Sequence, residues 1–345
     1  MSGRNPRPRV LWWIAPHREL SYYLADADRA RLEEAVDLRG ARSPGEALAA
    51  AHVARETATV DAAVFSWGTV IYSDEALAGC PDLKLLARFG GTVRGLVGEL
   101  AWDRDLRVVT ATDAMGAMIA ELTVALIFAG LYRLPRHYEL QRAAAPLFVD
   151  AGVDFGQRSL AGKQVGLVGF GTIAQKVARL LAPFGCALAA YDPYVAPETM
   201  RELNVRPAPA LPALVAQADV LSLHAADVPA TRGMIDRRAV SSLKPGSVLV
   251  NTAWASLMDW PALEQRVLAG EIVACLDCVD LLYGDGVAQA ERLRHSPHCL
   301  ITTIVGMHDD CLKRMGVQIV EELLRFSRGE PLRHEVRREA LSRRL

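Results

Sequence analysis

Between Lys163 and Val168 the chain reads KQVGLV, and this apolar run passes without interruption into Gly169-Phe170-Gly171-Thr172-Ile173-Ala174. A run of that length and character suits a strand buried on both faces of a parallel sheet. Gly169 permits a tight turn, Gly171 lets another group approach the backbone, and Ala174 is small enough for a following helix to lie against the strand. Ile173, Val177, Leu180 and Leu181 recur at helical spacing and mark the inner face of that helix. A second apolar run, Cys186 to Tyr191, ends in Asp192, 23 residues after Gly169. Strand, glycine turn, helix, strand and acid in this order make up the GxGxxA form of the dinucleotide fingerprint. There the free N–H groups and positive end of the helix receive the pyrophosphate, and the acid accepts the ribose 2'-hydroxyl. Pro193 and Tyr194 follow Asp192, with no adjacent Arg for a 2'-phosphate, so the expected cofactor is NAD rather than NADP.

At 345 residues the chain is long for one domain and comfortable for two. Hydrophobic residues make up 51% and the formal net charge is -1, a balance that gives no reason to expect a nucleic-acid or membrane partner. No uninterrupted apolar run reaches the ~18 residues of a membrane span, and the N-terminus lacks the layout of a signal peptide, so a cytoplasmic location is expected. The six cysteines read as reduced thiols. Cys275 and Cys278 form a CxxC, but within the apolar run Ile272 to Val279 and without a second pair, which favours core packing over a zinc site. In His308-Asp309-Asp310-Cys311 neighbouring side chains on a helix start diverge, and no metal is expected there.

Short strands are expected at Val10 to Ile14, Ala62 to Phe65, Leu85 to Ala87 and Val108 to Thr110, with helical sequence such as Asp28 to Val36 between the first two. A helix over Glu121 to Arg136 crosses into the nucleotide-binding part, and a loop is expected after it at Ala143 to Gly156. Further strands are expected at Val220 to His224, Ser247 to Asn251, Ile272 to Asp277 and Leu300 to Thr303, with helices at Trp260 to Ala269 and Leu312 to Phe326. The alternation predicts an α/β fold: a Rossmann-type doubly wound parallel sheet plus a second, flavodoxin-like α/β domain. Residues 1–120 with 305–345 would form the substrate domain, and 121–304 the NAD-binding domain.

Leu223-His224-Ala225-Ala226, Leu243-Lys244-Pro245-Gly246, Val250-Asn251-Thr252-Ala253, Asp259, Ala262-Leu263, Gly270 and Leu276-Asp277 follow in order, joined more loosely by Pro81 to Lys84, Arg88, Gly90 and Ala120-Glu121. This pattern resembles the D-isomer-specific 2-hydroxyacid dehydrogenases over most of residues 60–330, although Ala226 replaces the Pro of that family's LHxP segment. The resemblance implies two α/β domains with the active site in the cleft between them, and a homodimer. It also implies NAD contacts at Gly169, Gly171, Thr172 and Ile173, at Asp192, and at Ala225, Thr231, Thr252 and Ala253, with Asp277 towards the nicotinamide carboxamide.

The same resemblance exposes three departures. Where the family has an Arg for the substrate carboxylate this chain has Trp254, where it has the orienting Glu there is Leu282, and where it has the acid/base His there is Thr303, or Ile304 if the register slips by one. Reduction of a 2-keto acid needs a proton donor and is best served by a bidentate cation, and Trp, Leu and Thr supply neither. Other residues are candidates for the work. Arg94, in the loop Gly90 to Arg94, is either a relocated anion site or a solvated surface Arg. His308, five residues past Thr303, is either a displaced acid/base held by Asp280, with Tyr283 nearby, or a helix-capping side chain. Trp254 either covers the nicotinamide or substrate with an apolar, aromatic face or fills the space left by a guanidinium. Three activities follow: an NAD-dependent oxidoreductase for an apolar, aromatic or aminated small-molecule substrate; an enzyme with tightly bound NAD and a redox-neutral reaction (isomerisation, elimination or cyclisation); and a non-catalytic NAD(H)-binding protein. The first is expected, because an NAD site mostly serves hydride transfer.

Overall fold

A computed structural model describes residues 7–15, 18–42, 50–142, 156–278, 286–302 and 309–341. The chain divides into two compact units, Met1–Met115 with Gly306–Arg343, and Gly116–Val305.

In the first unit, strands β1 (Arg9–Ile14), β2 (Asp37–Arg42), β3 (Ala62–Phe65), β4 (Leu85–Arg88) and β5 (Arg107–Thr110) pair in parallel in the order β2-β1-β3-β4-β5. This is the flavodoxin-like order. β1, β3 and β4 are buried almost throughout, as parallel strands covered on both faces must be. The polar sequence of β2, DLRGAR, carries no strand signal and was not anticipated. It forms because Asp37 to Arg42 run in register with Arg9 to Ile14 at the sheet edge, where one ladder suffices and its side chains stay largely exposed. Helix Asp309–Ser327 packs on the short helices Leu20–Tyr23 and Asp26–Ala35.

In the second unit, β6 (Gln164–Val168), β7 (Ala187–Tyr191), β8 (Val205–Pro207), β9 (Val220–Leu223), β10 (Val248–Asn251), β11 (Val273–Leu276) and β12 (Cys299–Ile301) form a parallel sheet. Its order is β12-β11-β10-β9-β6-β7-β8, so the winding reverses between β6 and β9. The sheet is a Rossmann-type doubly wound one. Cys275 and Cys278 are buried, at and just beyond β11, and Cys278 Sγ donates to Asn251 O (3.3 Å).

One helix departs from expectation. It spans Thr112–Leu131 rather than Glu121 to Arg136, and a second helix, Leu134–Arg142, follows. The break falls at Arg133, which has φ 55 and donates from Nε to Gly156 O and from Nη2 to Gly246 O. By length and composition Thr112–Leu131 could cross a membrane despite its Asp113 and Glu121, but half of its apolar window is buried inside the fold.

Candidate functional site

β6 delivers the chain to Gly169 at the point where the sheet reverses direction. Gly169 has φ +87, and a Cβ there would lie 2.8 Å from Ala225 N and 2.9 Å from the carbonyl carbon of His224, at the end of β9. No side chain fits between two backbones so placed. Helix Thr172–Leu181 then begins with Gly171 as its N-cap and no side chain capping its first turn. A Cβ on Gly171 would meet nothing within 4 Å, so open space adjoins the uncapped N–H groups. Exposed Thr172 and half-buried Ile173 start the helix, and buried Ala174 lies against the sheet. An uncapped helix start beside free volume suits a phosphate group.

Asp192, just beyond β7, accepts a hydrogen bond from Phe170 N through Oδ2 (2.8 Å) and one from Tyr194 N through Oδ1 (2.9 Å). The carboxylate therefore ties the glycine turn to the β7 end. Two oxygens offer about four acceptor positions, and those left over can receive a sugar hydroxyl.

At the end of β9, His224 N donates to Val168 O and the imidazole Nε2 lies 2.9 Å from Ser222 Oγ. Desolvation pushes this imidazole down to about 4, so it is neutral at pH 7. Ala225 is half-buried on the core. Thr231 spends its hydroxyl inside its own loop: it receives Val228 N and lies within bonding distance of Ala226 O and Val228 O. It thus helps to hold the loop shape.

At the end of β10, buried Asn251 clamps the next turn, with Nδ2 donating to Trp254 O (2.9 Å) and Oδ1 accepting from Ala253 N (2.9 Å). In the sequence Asn251 stands only as part of a pattern, yet its buried amide before Thr-Ala is what shapes this turn. Thr123 Oγ1 donates to Ile119 O (2.7 Å), so Thr252 Oγ1, at 2.8 Å, donates to Thr123 and keeps its own lone pairs. Nothing in the Thr112–Leu131 segment signalled that partner. Trp254 is half-buried, and its indole packs against the apolar cluster on this side of the sheet. Asp277 is fully buried after β11, with its N–H on Asn251 O (2.8 Å). The carboxyl ends of β7, β6, β9, β10 and β11 are successive neighbours, so Asp192, Gly169, Ala225, Thr252 and Asp277 line one edge in that order.

The expected acid/base group is a different matter. His308, Asp280 and Tyr283, with Leu282 and Thr303, lie outside the described residues. Arg94 belongs to the first unit, where its guanidinium bonds Leu341 O and its N–H donates to Thr92 Oγ1.

Residues 124–306 match the family model described as D-isomer specific 2-hydroxyacid dehydrogenase, NAD binding domain. The chain is 33% identical over 264 residues to a D-3-phosphoglycerate dehydrogenase of Mycobacterium tuberculosis, covering 73% of this chain and 46% of the relative. It is 29% identical over 274 residues to a hydroxypyruvate reductase of Thermotoga maritima, covering 77% and 84%. The apo D-mandelate dehydrogenase of Rhodotorula graminis has the same fold, with a TM-score of 0.79, 21% identity and coverage of 96% and 98%. The chain spans about half the length of the phosphoglycerate dehydrogenases that it matches. Because the family model takes in more than half of the chain, the protein belongs to the D-isomer-specific 2-hydroxyacid dehydrogenase family, and its second unit is an NAD-binding domain.

Proposed function

We propose that the chain is an NAD-dependent oxidoreductase of the D-2-hydroxyacid dehydrogenase type whose substrate is apolar, aromatic or aminated rather than a small 2-keto acid. NAD supplies the hydride chemistry. The chain's own residues orient the cofactor through the Gly169 turn, Asp192 and the Asn251 turn. The observation that carries the substrate reading is Trp254. Its backbone is fixed by Asn251 and its ring rests on apolar core, so the position after Thr252-Ala253 offers an aromatic face and no cation. A small 2-keto acid is held by its carboxylate, for which a bidentate Arg is the fitting partner. A flat, weakly polar face instead favours a bulkier body. For the proton the sequence leaves His308, with Asp280 or Tyr283, as candidates. The same reading has the chain acting as a cytoplasmic homodimer on a small molecule, with no nucleic-acid or membrane partner.

Turnover of NADH with phenylpyruvate, pyruvate and glyoxylate tests the reading. The expected kcat/KM is at least roughly tenfold higher for phenylpyruvate than for the two small acids. Trp254→Arg alone should lower the phenylpyruvate rate without making an efficient pyruvate reductase, because Thr303 and Leu282 supply neither proton nor orienting acid. A wild-type preference for pyruvate, or a proficient pyruvate reductase from the single change, would overturn it.

A further inference from the structure

Arg88, the last residue of β4, is 2% exposed and sits among aromatic rings rather than acids. Its guanidinium lies 5.3 Å from the Phe65 ring centroid and 5.1 Å from that of Trp67. Nε donates to Thr92 O (3.2 Å). Among the described residues neither terminal nitrogen has an acceptor, and Nη1 is wholly enclosed without a partner. Gly90 closes over the group: a Cβ there would stand 3.2 Å from Arg88 Nε and 3.0 Å from Trp67 Cζ2. Burial pushes the guanidinium down to about 10, so it is still charged at neutral pH.

Magnitudes decide what this means. Removing a cation from water is costly, and two ring faces with one neutral acceptor do not offset that cost. Most buried cations meet a carboxylate, and among the described residues this one has none. The missing partner is therefore an anion that arrives from outside. A fork of two parallel N–H groups matches a carboxylate, and the accessible Trp67 ring matches a flat apolar body beside it. Trp67 is 36% exposed and covers the guanidinium from the solvent side.

We propose that Arg88, beneath Trp67 and the Gly90 turn, is a seat for an organic carboxylate with an aromatic body, and that it recognises the acid group in a chain whose Trp254 cannot. Its part in turnover rests on the oxidoreductase reading above, but its binding does not. The test is thermal denaturation and calorimetric titration of the full chain with phenylacetate, and with phenylacetamide as the uncharged control. Phenylacetate should raise the Tm of the wild type and phenylacetamide should not. Arg88→Met, which replaces an unmatched cation by an apolar chain of similar length, should melt at or above the wild-type Tm without ligand and lose the phenylacetate response. Arg88→Lys keeps the charge but not the fork and should bind phenylacetate at least roughly tenfold more weakly, with NADH affinity unchanged. It decides the matter if Arg88→Met does not fold. An unaltered phenylacetate response in either variant, or an equal response to phenylacetamide, would overturn the proposal. Phenylacetate binding lost on Arg88→Met, together with no NADH turnover of phenylpyruvate, would leave the seat standing and sink the dehydrogenase reading instead.

Discussion

At the carboxyl edge of the second unit's sheet, named polar groups meet in pairs: Phe170 and Tyr194 N–H on Asp192, Ala253 N–H and Trp254 O on Asn251, and Thr252 on Thr123. At the carboxyl edge of the first unit's sheet, Arg88 ends β4 with its terminal nitrogens unmatched among the described residues, and on β1 the buried Trp12 Nε1 likewise has no acceptor among them. Each edge belongs to a parallel sheet, and carboxyl edges are where α/β sheets bind ligands. Their difference is how the polar groups are used. In the second unit they hold loops in a fixed shape, and a ligand meets backbone N–H groups and leftover lone pairs. In the first unit a donor is left in reserve, at a cost in stability.

The strongest way to break this contrast is at the glycine turn. Gly169→Ala places a Cβ against two backbone atoms at φ +87, and neither can move cheaply. It should cost about 3 kcal/mol or more in urea denaturation and lower NADH affinity by more than roughly 10²-fold. Gly171→Ala enters open space and should leave stability within about 1 kcal/mol while still weakening NADH by at least roughly tenfold. Wild-type NADH affinity in Gly171→Ala would mean that no phosphate approaches there.

Next in size is Asn251→Leu. It strips acceptor and donor from a fully buried turn and should destabilise by about 2–4 kcal/mol. Arg88→Met, though it too removes a buried polar head, should cost little or nothing. Similar losses in the two variants, from parallel denaturation curves, would abolish the distinction between the paired Asn251 turn and the unmatched Arg88 head.

Sequence made the second unit easier to read than the first, for the same physical reason. The GxGxxA turn, Asp192 and the NTA segment are contiguous, and local sterics fix what they do. The Thr123 to Thr252 bond joins residues 129 apart, and no local rule announces it. β2 escaped because an edge strand needs no apolar alternation. Arg94 drew attention as the cation in the loop, yet its guanidinium is engaged by Leu341 O while Arg88, six residues earlier, holds the unmatched charge. Burial of an Arg at the end of an apolar strand depends on which rings the topology brings beside it, and Phe65 ends the neighbouring β3 while Trp67 lies in the turn after it. The acid/base question stayed where the sequence left it, on residues 279–285 and 303–308, outside those described.

The smallest expected effect compares how two enclosed nitrogen bases avoid the cost of charge. His224 does so by remaining neutral: burial lowers it to about 4, against about 6.5 in the unfolded chain. Arg88, lowered only to about 10, has no such escape at neutral pH. For His224 the unfolded chain binds the proton first as the medium is acidified. Stability is thus complete above about pH 6.5 and declines as pH falls from there towards 4. Between pH 7.5 and pH 5 this contributes a loss of roughly 1–2 kcal/mol, discounted because the residue is only partly buried. Urea denaturation of wild type and His224→Gln at both pH values isolates it from other titrations. The variant should show the smaller acid-induced loss by about that amount. Equal losses would mean that His224 is solvated enough to protonate freely. The edge that carries Ser222 and His224 would then be wetter than its hydrogen bonds imply.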